Sequence, residues 1–340
     1  MSTMRILQTL AHPSLRSLLE PRLHASQLVY PVFLKSDIDD SFLTQRKPKE
    51  PLDPFRQMNP ESPHFLSHIN HLHSLGLRHL MLFGVVNRKI KDVPGSSADS
   101  PENPVIYALR KIRTAPELNT LALWADVCLC EYTESGHCGV LNENCSKTHD
   151  GQDSEIANEA SVKRLGQIAH AYASAGADVV CPSDMRDGRV AEVRQSVPDT
   201  VQICAYTSKK ASSLYAPFRG AVESEFKGER TRYQHPVGSA ATALRAAARD
   251  VKEGADMLLV KPALFYGDVI REFKSLYPDR MVVAYMVSGE YVMLRDYGRM
   301  TGTEDSILKE AHLSVKRAGA DVIITYFAAE LLEKGSLEKW

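Results

Sequence analysis

Short, almost unbroken apolar runs recur along the chain. Longer stretches separate them, in which apolar residues return every three or four positions. The runs are LVYPVFL (28–34), HLMLFGV (79–85), LALWADVCL (121–129), DVVCPSD (178–184), VQICAYTS (201–208), DMLLVKP (256–262), MVVAYMVS (281–288) and DVIITYF (321–327). Near-continuous apolarity at this length marks parallel strands buried on both faces. Between them lie amphipathic stretches such as NEASVKRLGQIAHAYASAG and SAATALRAAARDVKEG. Several end in one phrase: AGADVV at 175–180, EGADMLLV at 253–260 and AGADVII at 318–324. The glycine suits the left-handed position that closes a helix, and the residues after it lead into a strand. Eight such alternations predict an α/β fold, a (β/α)8 TIM barrel. A doubly wound open sheet is the competing arrangement. It usually carries a glycine-rich phosphate loop after its first strand, and YPVFLKSDIDD is not one.

Residues 1–27 precede the first run and belong to no barrel unit. They are expected to form an N-terminal arm, either loose or packed on a neighbouring subunit. Residues 28–340 contain no low-complexity tract or linker, so they are expected to form one TIM-barrel catalytic domain.

Composition narrows the function classes. The chain has 41 basic and 42 acidic residues, so no charge bias points to nucleic acid or an anionic membrane. No apolar run is long enough to span a bilayer, and the N-terminus lacks the pattern of a secretory signal. A cytoplasmic location is expected, where thiols stay reduced. That changes the meaning of the six cysteines. In such a compartment a cysteine cluster points to metal or chemistry before disulfides.

In a TIM barrel the active site lies at the C-terminal ends of the strands. Asp126, Cys128 and Cys130 share one face of the third run by alternation. Cys138 follows Cys130 with seven residues between, in a loop able to fold back. Three thiolates without an obvious fourth suit a zinc site with an open position. His137 is a candidate fourth ligand, or a partner for bound water. Lys209 and Lys261 end the fifth and sixth runs. Side by side, two such lysines are expected to depress each other's pKa, and a neutral amine can form a Schiff base with a ketone. Lys210 is expected to point the other way. Arg219 and Arg230 lie in the long loop after the fifth run, a candidate lid, with Tyr233 and Gln234. Arginines there suit a carboxylate. Ser288 and Tyr326 end the seventh and eighth runs. Ser183 and Asp184, ending the fourth, are equally open to reading as helix caps.

The motifs ADVCLCEYTESGHCGVL, CPSDMRDGRV, YTSKKASSLYAPFR, GADMLLVKP, YMVSGEYVML and AGADVIITY stand in one order. In that order they resemble the porphobilinogen synthase family, also called 5-aminolevulinate dehydratase, from about AHPSLR at residue 11 onward. The resemblance implies a TIM barrel with an N-terminal arm, assembled as a homo-octamer. It implies condensation of two 5-aminolevulinate molecules to porphobilinogen, with loss of two waters, in haem and tetrapyrrole synthesis. It implies a Schiff base on Lys261 and a second active-site lysine in Lys209. Cys128, Cys130 and Cys138 match the zinc ligands of the family's zinc-dependent branch. Arg219 and Arg230 match the clamp on the second substrate's carboxylate, and Ser288 and Tyr326 match the groups that hold the first. Gln234 falls in the same substrate-binding region, and Asp126 shares the metal face, suited to proton transfer or to an ammonium group.

The chain departs from the family in several places. It reads TSKK where relatives usually carry one lysine. Arg232 stands where animal relatives place a cysteine of a second metal site, so that site is expected to be absent. YQHPVGSAATALRA replaces the usual YQLPP sequence, and Met286 stands where YHVSGE has histidine. The loop NENCSKTHDGQDSE is unusual, and its Cys145 is either a further ligand or a free thiol. A Schiff-base aldolase would leave the cysteine trio idle. A catalytically inactive, precursor-binding paralogue would draw support only from the unusual lid.

Overall fold

The computed structural model describes residues 10–45, 52–142, 156–224, 226 and 230–340. Cys145 lies outside them. Eight parallel strands run in chain order: β1 (Leu28–Leu34), β2 (His79–Gly84), β3 (Ala122–Val127), β4 (Val179–Pro182), β5 (Gln202–Lys209), β6 (Met257–Lys261), β7 (Met281–Met286) and β8 (Val322–Thr325). β8 returns to β1, with Leu28 opposite Ile323 and Val29 opposite Ile324. That pairing closes the barrel and decides against the open sheet. A two-residue strand, Gln57–Met58, adds to the outer end of β1.

The longer helices between strands are α1 (Pro63–Ser74), α2 (Pro104–Arg113), α3 (Asn158–Ala175), α4 (Arg189–Ser196), α5 (Ala240–Lys252), α6 (Gly267–Leu276), α7 (Ser288–Thr301) and α8 (Glu304–Ala318); α9 (Ala328–Glu333) follows β8. Both faces of each strand are covered, so the apolar runs lose their alternation in composition but keep it in space. Leu80 and Leu82 pack outward against helices, while Met81 and Phe83 fill the interior with Trp124, Tyr206 and Tyr285. Large side chains plug the barrel, so chemistry is confined to its C-terminal mouth.

Several strands end earlier than their apolar runs. β3 stops at Val127, so Cys128 and Cys130 lie in the turn that follows; β7 stops at Met286, and Ser288 opens α7; β8 stops at Thr325, leaving Tyr326 in a turn. In the described part of the arm, Pro13–Ser17 is helical, and Leu15, Leu18 and Leu19 are exposed. The Gln27 amide donates to the Asp321 carbonyl at 3.2 Å, tying the arm's end to the foot of β8. Among the described residues no helix is long and apolar enough to cross a membrane.

Candidate active site

Cys204 and Tyr206 point into the barrel and Ala205 points out. Strict alternation along β5 would therefore aim Lys210 inward and Lys209 outward. The register against β6 shifts between Ala205 and Ser208, where β5 accommodates one extra residue. Such a bulge re-aims every side chain beyond it. Lys209 is thereby paired with Lys261 across the β5–β6 ladder, and both line one cavity. Lys210 turns outward, as expected, and its Nζ donates to the Ser239 carbonyl at 2.5 Å.

The two amines share a ring but not an environment. Their nitrogens lie 5.5 Å (Lys209) and 5.2 Å (Lys261) from the centroid of Tyr206. Lys261 is also 4.0 Å from the centroid of Tyr285 and 4.9 Å from that of Phe218. Burial, helped by the charge of Lys209, pulls Lys261 down to about 7. Burial also acts downward on Lys209, but the negative charge of the cysteine cluster, Cys138 foremost, outweighs it and leaves Lys209 above its ordinary value. Its Nζ donates to the Ser183 carbonyl at 2.6 Å. The mutual depression expected of two neighbouring lysines thus falls on Lys261 alone, because the sulfur charge acts chiefly on Lys209.

Although β3 has ended, the turn keeps Cys128 and Cys130 convergent, with their sulfurs 3.5 Å apart. Cys138 folds back, so that all three buried sulfurs lie within 4.8 Å of one another. Sulfurs bound at about 2.3 Å around one tetrahedral ion stand about 3.8 Å apart, so the trio is close to the arrangement a single ion needs. His137 is not part of that cluster. Its ring packs edge-on against Phe226, 4.6 Å between centroids. Glu131 escaped the sequence reading. Its carboxylate accepts from the Cys130 thiol at 3.2 Å, groups with Asp126 and Cys128, and lines the cavity. The only available signal was an acid directly after C-x-C.

Asp126 is buried, and burial together with the charge of Glu131 raises it to about 7. Its Oδ2 accepts from the Ser183 hydroxyl at 3.1 Å, while Oδ1 has no partner among the described residues. Ser183 therefore serves the site and does not cap a helix. Asp184 faces away, accepting the Arg186 N–H at 2.7 Å and lying 3.9 Å from the buried Arg189 guanidinium.

The segment after β5 roofs the cavity with Phe218, Arg219, Arg230 and Gln234. Arg230 Nη2 donates to the Gly136 carbonyl at 2.8 Å. Arg230 Nε and Gln234 Nε2 are shielded from solvent and lack partners among the described residues. Buried polar atoms left unpaired are costly, so a wall carrying several of them suits a polar ligand. Ser288 and Tyr326 do not line this cavity. The Ser288 hydroxyl accepts the Phe218 N–H at 3.1 Å and donates to the Leu214 carbonyl at 3.2 Å, anchoring the roof. The Tyr326 hydroxyl meets that of Tyr285 at 3.0 Å, beneath Lys261. The cavity measures about 20 Å³, room for roughly one water. Admission of anything larger requires the roof to lift.

Fold and site together define a TIM-barrel enzyme with a buried lysine pair and a thiol cluster at its strand ends. Residues 3–334 match the family described as delta-aminolevulinic acid dehydratase. The chain is 41% identical over 335 residues to the Bos taurus delta-aminolevulinic acid dehydratase, covering 95% of each. It is 39% identical over 337 residues to the protein of the same name from Methanothermobacter thermautotrophicus, covering 97% of each. A crystal structure of delta-aminolevulinic acid dehydratase (porphobilinogen synthase) from Toxoplasma gondii, in complex with the reaction product porphobilinogen, matches with a TM-score of 0.86. The identity there is 33%, over 98% of this chain and 92% of that one. The chain belongs to the delta-aminolevulinic acid dehydratase family, and it is a lyase.

Proposed function

We propose that the chain condenses two molecules of 5-aminolevulinate to porphobilinogen, releasing two waters, as a zinc enzyme of tetrapyrrole synthesis. The observation that carries this reading is the Lys209–Lys261 pair, side by side across the β5–β6 ladder in one cavity, with the Lys261 amine pulled down to about 7 and the Lys209 amine above its ordinary value. Lys261 attacks the ketone of the first substrate. A C–N bond forms, and the carbonyl oxygen leaves as water once protonated. Lys209, kept as an ammonium beside it, is the donor placed to supply a proton. Having given it up, Lys209 is itself an amine able to hold substrate covalently. Asp126 Oδ1 offers a free acceptor for a substrate ammonium or a transferred proton.

Arg219, Arg230 and Gln234 bind the carboxylate of the second substrate through charge-assisted and amide hydrogen bonds. Ser288 and Tyr326 receive the carboxylate of the first once the Leu214–Phe218 segment lifts. Holding both molecules in one cavity makes their union effectively unimolecular. Cys128, Cys130 and Cys138 fit zinc, because three buried sulfurs suit a tetrahedral soft-ligand ion with one position open. Bound there, zinc supplies Lewis acidity toward a carbonyl oxygen or a water. The exposed leucines of the arm support the division into arm (1–27) and barrel (28–340), and the packing of arms between copies in a homo-octamer. A cytoplasmic location agrees with the free thiols of the five cysteines among the described residues.

Borohydride trapping tests the assignment of the nucleophile. Reduction in the presence of 5-aminolevulinate, followed by peptide mass mapping, is expected to place the adduct on Lys261, with none in Lys261→Ala. Failure of the wild-type protein to trap any adduct would contradict it.

A further inference from the structure

A second cavity, of about 470 Å³, opens beside the site on the outer side of the roof. Its wall carries Arg186, Arg232, Arg245, Arg249 and His235, against a single acid, Asp187. The chain as a whole is balanced, 41 basic against 42 acidic residues, so this is a local concentration of positive charge. Arg249 is offset by ion pairs to Asp187, Asp250 and Glu253, so the excess rests chiefly on Arg186 and Arg245. Arg245 has no acid partner among the described residues. Arg186 stacks on the Tyr233 ring at 4.4 Å, and its Nε and Nη2 are shielded from water with no hydrogen-bond partner among the described residues. The field is felt nearby: burial, then the charges of Lys210, Arg189 and Arg249, push His235 down to about 4.

Two segments lead from this cavity to the lysines. The His235 N–H donates to the Lys209 carbonyl at 2.9 Å, and the His235 carbonyl accepts from the Ala211 N–H at 2.9 Å. Arg186 lies three residues beyond Ser183, whose carbonyl holds the Lys209 Nζ. Tyr233 is a shared wall, with Arg186 on one side and the cysteine cluster on the other. We propose that this cavity binds a small multivalent oxyanion, bearing phosphate or several carboxylates, and that its occupancy is coupled to the lysine site through the 183–187 and 233–235 segments. Arginine is suited to such a ligand, because its planar fork meets two oxygens of one phosphate or carboxylate at once. Binding would draw Arg186 toward the cavity and alter its stacking on Tyr233. The binding half of the proposal is independent of the reaction. The coupling half alone rests on the dehydratase reading.

Isothermal titration calorimetry of the zinc-loaded protein, with pyrophosphate and separately with citrate, tests it. One site per chain is expected for at least one of the two. The tighter of them distinguishes a phosphate-bearing ligand from a polycarboxylate. The affinity should fall at least about tenfold in Arg186→Gln/Arg245→Gln, and should hold in Lys252→Gln at the end of the same helix. Arg245→Gln alone, at an exposed position of α5, gives the same direction should the double variant fold poorly. Absence of saturable binding by either anion would overturn the proposal. So would binding that both arginine variants leave unchanged. A saturating anion should also change kcat or KM in the wild-type protein but not in the double variant. Binding without any such change would overturn the coupling while leaving the site.

Discussion

Lys209 and Lys261 carry the same functional group and differ only in their surroundings. Lys261 is enclosed by Tyr285, Phe218 and Tyr206, while Lys209 has anionic sulfur beside it. This is the level at which the chemistry was most legible in the sequence and also least complete. The position of two lysines at neighbouring strand ends could be read directly. Their opposite shifts could not, because the sulfur charge reaches Lys209 only through the fold. Glu131 was hidden for the same reason: a turn acid becomes a cavity wall only when the chain after β3 folds back. The shifts give a signed expectation. Lys261 sits near 7, so raising pH through that value frees the amine. Imine formation should fall about tenfold for each unit below it. Asp126 titrates in the same window, so the wild-type profile belongs to the pair. The Asp126 charge holds Lys261 up. In Asp126→Asn the acid limb should therefore move to lower pH, which rapid borohydride quenching across pH 5 to 9 would follow. A shift to higher pH would contradict the assignment.

At the scale of elements, the decisive feature is the irregularity in β5. The interior residues Cys204 and Tyr206, taken with period two, select Lys210; the bulge selects Lys209. The eight strands and their order follow from apolar runs that parallel burial imposes, so they were readable. A one-residue re-phasing has no apolar signature, and neither has the early end of β3. The start of α7 illustrates a second device. Gly289 passes so close to the roof that an added Cβ would stand 2.7 Å from the Leu214 backbone. Its neighbour Ser288 hydrogen-bonds Leu214 and Phe218. Gly289→Ala is therefore expected to destabilise the chain by about 1–3 kcal/mol through overpacking. Because it displaces Phe218 and Arg219, it should also raise KM while leaving bound zinc unchanged. A thermal melt, steady-state kinetics and metal analysis on one preparation check all three. An unaltered KM would show that the Leu214–Phe218 segment does not shape the substrate cavity.

For the molecule as a whole, closure of β8 on β1 concentrates everything unusual at one mouth, and the tail at the other end is left uncovered. The barrel was legible because its repeat is written eight times. The arm was not, because Leu15, Leu18 and Leu19 find no core in their own chain. If arms pack between copies in the proposed octamer, Leu18→Asp/Leu19→Asp should give smaller assemblies than the wild-type protein on light scattering after size exclusion, with the barrel still folded by circular dichroism. An assembly unchanged in mass would remove the arm from the interface. In the proposed function the cysteine cluster and the lysine pair serve one reaction. Its most direct test is colorimetric detection of porphobilinogen from 5-aminolevulinate. The wild-type protein and Lys261→Ala would be compared, each zinc-loaded and each after chelation. Product is expected only from zinc-loaded wild type, lost on chelation and restored by zinc. Product that persists without metal, or that survives in Lys261→Ala, would contradict it.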